Sequence, residues 1–132
     1  MGKELYGFKV LVVDDDLDTR ELIQWVLQRV GAEVTLAASS AEALSALDGE
    51  RFHVLVSDIS MPEEDGYTLL KKVRARGAER GGRIPAVALT AHSLVQDRLQ
   101  SLRAGFQTHV PKPLVPEELV EVVASLVYQG GS

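Results

Sequence analysis

The residues with chemistry to offer stand at the ends of short apolar runs. Asp14, Asp15 and Asp16 close a run that begins at Val10, and Asp58 closes another that begins at Val54, followed by Ile59, Ser60, Met61 and Pro62. Two later runs end on a hydroxyl, Thr90, and on an ammonium, Lys112, each followed by a small or rigid residue, Ala91 and Pro113. As parallel strands, these runs would bring their carboxyl ends to one sheet edge, where open α/β folds bind ligands. Carboxylates crowded there repel unless a cation joins them. Mg²⁺ takes one or two carboxylates and accepts phosphate oxygens, which suits Asp14 and Asp15 flanking Asp58. An aspartyl carboxylate can form an acyl phosphate, so Asp58 is the candidate nucleophile. The phosphoryl oxygens then need neutralising donors, which Mg²⁺, the Lys112 ammonium, the Thr90 hydroxyl and a backbone N–H can share.

The elements that must position these groups follow from periodicity. Apolar runs alternate with helical-period segments five times, which implies an α/β fold with a covered, five-stranded parallel sheet and five helices. Strands are expected over Phe8–Asp14, Glu33–Ala37, His53–Asp58, Ala86–Thr90 and Thr108–Lys112. The first helix is expected over Leu17–Val30, burying Leu22, Val26 and Val30 and stopping at Gly31, with Trp25 off the stripe and partly exposed on the side where a phosphodonor would dock. The second opens with a capping box, Ser39 with Glu42, the third covers Glu64–Arg76, the fourth Ser93–Ala104, and the fifth starts at Pro116. The polar, glycine-rich stretch Gly77–Arg83 reads as a flexible connection.

Composition bounds the rest. A chain of 132 residues with 45% hydrophobic content is expected to form one domain, residues 1–132, with a core over about 8–128 and frayed ends at 1–7 and 129–132. No apolar run reaches the roughly 20 residues of a membrane helix and no leader pattern opens the chain, so a cytoplasmic protein without a membrane partner is expected. A net charge of -5 argues against a nucleic-acid surface. There is no cysteine, and His53, His92 and His109 lack metal-ligand spacing. Alone, Asp14–Asp16 would read as a solvated loop at a helix start, Thr90 as an ordinary strand residue and Lys112 as a surface lysine. Their joint position at strand ends is what turns them into a site. Asp65, before Gly66, reads as a turn or capping residue, and His92 as a surface histidine that could tune phosphoryl lifetime.

Asp14-Asp15, the segment Asp58–Gly66, Thr90-Ala91 and Lys112-Pro113 together resemble the signature of CheY-like response-regulator receiver domains, with finer likeness to receivers of hybrid sensor histidine kinases around Gly82–Ala91 and Gly105–Pro113. The resemblance implies a flavodoxin-like doubly wound sheet of strand order 2-1-3-4-5. It implies that Asp58 is the phosphoacceptor, that Asp14, Asp15, the Asp58 carboxylate and the Ser60 carbonyl bind Mg²⁺, and that Thr90 and Lys112 contact the phosphoryl group. It also implies a cis Lys112–Pro113 bond and a histidine kinase or histidine phosphotransfer protein as partner. One position departs from the pattern: His109 stands where such domains usually carry Tyr or Phe, the ring that switches together with Thr90.

Other classes of function meet obstacles. A Mg²⁺-dependent phosphohydrolase with an Asp nucleophile needs an acid/base carboxylate where Ser60 stands, and no glycine-rich nucleotide motif follows any strand. An interaction domain that is never phosphorylated stays open as an alternative. Surplus apolar residues on helix five, Val120, Val122 and Val127 beyond a core stripe of Leu119, Val123 and Leu126, point to a homodimer or another domain docking on the helix-four, strand-five, helix-five face.

Overall fold

A computed structural model of the chain describes residues 4–91 and 95–130, with side chains from 4 to 91 and from 97 to 128. His92 and the expected helix start at Ser93 lie outside the described residues. Five strands, β1 (Lys9–Val13), β2 (Glu33–Ala37), β3 (Val54–Asp58), β4 (Ala86–Thr90) and β5 (Thr108–Pro111), form one parallel sheet of order β2-β1-β3-β4-β5. Five helices cover it: α1 (Leu17–Arg29), α2 (Ser40–Gly49), α3 (Gly66–Arg74), α4 (Val95–Ala104) and α5 (Pro116–Gly130). This is the α/β architecture expected.

Burial on both faces explains the strand sequences. β3 and β4 are buried at every position, as unbroken apolar runs in the middle of a parallel sheet should be. Alternation divides their side chains between two cores. Val10, Val12, Val56, Val87, Leu89 and Val110 pack with α1 and α5, whereas Leu11, Val13, Leu55, Ala86 and Ala88 pack with α2 and α3. The open edge at β5 includes Pro111, in register with Thr90 of β4.

Helix boundaries follow local chemistry. Asp16 caps α1 by accepting the Thr19 N–H at 3.1 Å, and Asp65 caps α3 through the Thr68 N–H at 2.9 Å, the duty expected of it. Ser39 caps α2 through Glu42, whose carboxylate reaches back to the Ala38 N–H at 2.8 Å.

Three expectations change. The stripe of α1 is Ile23, Val26, Leu27 and Val30, while Leu22, about a quarter-turn round the helix, is exposed together with Trp25. On α5 the buried residues are Leu119, Val123 and Val127, centring the stripe on Val123; Val120, Val122 and Leu126 are half-buried at its margins. Residues 4–7 are not a frayed end. Leu5 is fully buried, its N–H donates to the Val30 carbonyl at 2.8 Å, and the Tyr128 hydroxyl donates to the Glu4 carbonyl.

The connection after α3 also differs from the flexible loop expected. Ala78–Arg80 form a 3-10 turn, and the Gly82 N–H closes the segment onto the Gly77 carbonyl at 2.8 Å. Arginines hold it from both sides. Arg74 donates to the Gly82 and Ile84 carbonyls at 3.0 and 2.6 Å, Arg76 to the Arg80 carbonyl at 3.3 Å, and Arg51 to the Glu79 carbonyl. Composition showed the polarity of this stretch but not its bonding partners, one from the end of α3, one just past it and one from the approach to β3.

Candidate functional site

β1 and β3 are neighbours in register, so Asp14, just past β1, and Asp58, ending β3, meet at the carboxyl edge. One carboxylate oxygen from each of Asp14, Asp15 and Asp58 lies within 4.8 Å of the others. Asp14 is fully buried and Asp58 nearly so, while Asp15 is exposed. The Lys112 ammonium, carried one residue past β5, bridges the two buried carboxylates at 3.2 Å to Asp14 Oδ2 and 3.2 Å to Asp58 Oδ1. Lys112–Pro113 is cis, the form expected at this turn.

The electrostatics of this cluster are unbalanced. Burial, and after it the charge of Asp14, pushes the Asp58 carboxyl above its ordinary range, against the opposing pull of Lys112 and of the Ser60 N–H at 3.4 Å. Burial alone would depress Lys112. The charges of Asp14 and Asp58 and their hydrogen bonds outweigh it, so the ammonium is held above its usual value and stays charged. Two buried carboxylates and a third at the rim thus face a single lysine. An all-oxygen donor set with surplus negative charge fits Mg²⁺ on the chemistry of its residues.

Other groups take their places around it. Thr90 ends β4 at the same edge, buried. Ser60 is exposed, two residues beyond Asp58. His109 is half-buried in β5, in register with Ala88. Because Leu89 and Val110 face the core shared with α1 and α5, Thr90 and His109 both belong to the opposite sheet face.

Two positioning residues were missed in the sequence. Arg20 donates to the Asp14 carbonyl at 2.7 Å, fixing the turn that carries Asp14 and Asp15, while the Asp16 N–H donates to Asp14 Oδ1 at 2.9 Å. Arg20 lies one helical turn after the cap Asp16, and that spacing was the available signal. Gly66 is the other. Its N–H donates to the Ile59 carbonyl at 2.9 Å, and a β-carbon built there would lie 2.4 Å from the Asp58 carbonyl oxygen. Only glycine lets α3 begin directly against the backbone of Asp58.

The fold and this edge define a doubly wound α/β domain of the CheY-like flavodoxin class with an acidic site at its carboxyl edge. The family model described as response regulator receiver domain matches residues 10–124, and the chain belongs to that family, the receiver domains of two-component signalling. An uncharacterized 14.6 kDa protein of Leptolyngbya boryana is 46% identical over 86% of this chain and 86% of its own length. Chemotaxis protein CheY4 of Vibrio cholerae superposes with a TM-score of 0.85 at 31% identity, covering 90% of this chain and 98% of that one. The receiver domain of a sensor histidine kinase from Pseudomonas aeruginosa, whose structure has a magnesium ion coordinated in the active-site cleft, superposes at 0.83 and 32% identity, covering 96% and 99%. The chain spans between 50% and 58% of the length of several curated transcriptional regulators that it also matches, and 45% of Protein PetR of Rhodobacter capsulatus.

Proposed function

We propose that this domain takes a phosphoryl group onto Asp58 from the phosphohistidine of a histidine kinase or histidine phosphotransfer protein, and changes its partner contacts until hydrolysis removes the group. The observation that carries the reading is the Lys112 ammonium set between Asp14 and Asp58, 3.2 Å from each, beside the exposed carboxylate of Asp15. In the transfer, the P–N bond of the donor breaks as a P–O bond to Asp58 forms, and the imidazole leaves. Asp14, Asp15, Asp58 and the Ser60 carbonyl would hold Mg²⁺, which supplies charge neutralisation for the phosphoryl oxygens when bound. Lys112 and the Thr90 hydroxyl provide the remaining neutralising contacts. The domain acts on itself as a signalling element, and a cytoplasmic setting suits such a donor.

Partner surfaces are legible around the site. Leu17 and Trp25 on α1 and Val115 at the start of α5 are exposed, an apolar rim on which a donor protein can dock. Leu99 and Leu102 on α4 are exposed as well and, with the half-buried Val122 and Leu126, offer an α4–β5–α5 face to a second copy or another domain. His109, on the Thr90 side of the sheet, is the candidate switch residue. Its imidazole gains less from burial than a phenyl or phenol ring would. Replacement by Tyr should therefore strengthen the coupling between phosphorylation and partner binding.

Labelling with acetyl phosphate and Mg²⁺ tests the whole reading. Asp58→Asn should abolish it, and removal of Mg²⁺ should reduce it by orders of magnitude. Labelling of Asp58→Asn at the parent rate would refute the assignment. For His109→Tyr, the ratio of partner affinities with and without beryllofluoride should rise, and an unchanged ratio would remove His109 from the output step.

A further inference from the structure

At the amino edge of the sheet, across the molecule from Asp58, a groove of about 540 Å³ opens between the end of α2 with the following Gly49–Phe52 and the closed Gly77–Gly82 turn. Its volume falls within the range of about 300–1,000 Å³ typical of small-molecule sites. Four arginines line it, Arg51, Arg76, Arg80 and Arg83, beside three acids, Asp48, Glu50 and Glu79. In a chain of net charge -5, that concentration of positive charge needs a cause. The negative carbonyl ends of α2 and α3 and the carboxylate of Asp48 account for Arg76, which is largely shielded and paired with Asp48. They do not account for the others. Arg80 stands 3.8 Å from the same carboxylate and is mostly exposed, Arg51 spends one N–H on the Glu79 carbonyl, and Arg83 is exposed on the rim. Glu50, an acid of the lining, is drawn away by Lys9 at 3.0 Å, which leaves the exposed Glu79 as the one lining acid set against Arg51, Arg80 and Arg83.

The wall that carries Arg80 and Arg83 is built in advance. Gly77 and Gly81 adopt φ of 82° and 83°, and a β-carbon at Gly82 would lie 2.7 Å from the Gly77 carbonyl oxygen, so this tight turn depends on its glycines. A preorganised wall avoids an ordering cost on binding. The half-buried ring of Phe52 also lines the groove, with the buried Leu47 and Ile84 beside it.

We propose that this groove binds a mononucleotide, the phosphate held by Arg51, Arg80 and Arg83 and the planar base lying against Phe52. Arginine forks match phosphate oxygens in bidentate fashion, and a ring face next to them gives a flat heterocycle its place. The site is separate from the phosphoacceptor edge and independent of the function proposed for it.

The test is an amide chemical-shift titration of the intact chain with AMP, in EDTA so that Mg²⁺ at the carboxyl edge contributes nothing, with adenosine, inorganic phosphate and an acidic peptide as parallel probes. AMP should shift amides within 47–52 and 78–84. It should bind about tenfold more tightly than either adenosine or phosphate, and Arg80→Gln combined with Arg83→Gln should weaken it by about tenfold or more. Both side chains are exposed, so the variant should fold and accept phosphate at Asp58 at the parent rate. Any of four results overturns the proposal: no shifts in those segments at millimolar AMP, equal affinity in the double variant, inorganic phosphate binding as tightly as AMP, or the acidic peptide outcompeting it.

Discussion

Two clusters, one at each end of the sheet, handle buried charge in opposite ways. At the amino edge, Arg74 is half-buried and has no carboxylate partner among the described residues, yet its guanidinium donates to the carbonyls of Gly82, Ile84 and Gly105 and to Gln107 Oε1. Burial lowers its pKa, but the hydrogen bonds leave no donor wasted. At the carboxyl edge, two buried carboxylates repel each other across a single lysine, and Asp58 is pushed toward its neutral form. Arg74 is satisfied within the chain. The crowded carboxylates are satisfied only when something is added, and this asymmetry separates the groups that hold the domain together from those that make it respond.

The largest effect should come from the satisfied arginine. Arg74→Met leaves three backbone carbonyls without their donor and should cost about 3 kcal/mol in urea denaturation. Mg²⁺ affinity should stay at the parent value, and a matching loss of Mg²⁺ binding would end the division between the edges. Gly66→Ala lies between stability and response, because its β-carbon would press on the Asp58 carbonyl. It should cost about 2 kcal/mol and also slow phosphorylation, and a loss of stability alone would show that the loop adjusts without moving Asp58.

Asp58→Asn should do the reverse at neutral pH, raising stability by on the order of 1 kcal/mol, a few degrees in melting temperature. The sign follows from the direction of the shift. Asp58 binds its proton more tightly folded than unfolded, so its ionisation destabilises the fold as pH rises above 3.8, and the penalty is complete above the folded pKa. The gain from Asn should therefore fade as pH falls below the ordinary carboxylate value, and Mg²⁺ should stabilise the parent but not the variant. Melting curves across pH, with and without Mg²⁺, read both effects. The smallest change expected is in Asp65→Ala, which removes a cap from α3 for about 1 kcal/mol and should leave the acidic cluster unaltered in a Mg²⁺ titration.

What could be read in advance depended on how local each cause was. Strand ends were legible because an apolar run closing on Asp, Thr or Lys carries its own boundary, and parallel order then brings Asp14, Asp58, Thr90 and Lys112 to one edge. Asp65 was legible as a cap for the same reason. Burial on α1 and α5 was harder, since Leu22 and Ile23, or Leu126 and Val127, are adjacent apolar residues and only the neighbouring elements decide which turns inward. The Gly77–Arg83 segment was least legible. Its order comes from Arg51, Arg74 and Arg76 donating to its carbonyls, and nothing within the segment itself announces them.

Pro111 has a consequence for self-association. Just past β5 the Lys112 N–H donates to the Thr90 carbonyl of β4 at 2.8 Å, so the alternate position at 111 faces the open side of the sheet, where proline has no N–H to give. A stray strand from another molecule finds a gap in the ladder it would template on. Copies of this domain are discouraged from joining their sheets at this edge, which keeps crowded molecules from growing into continuous β-structure.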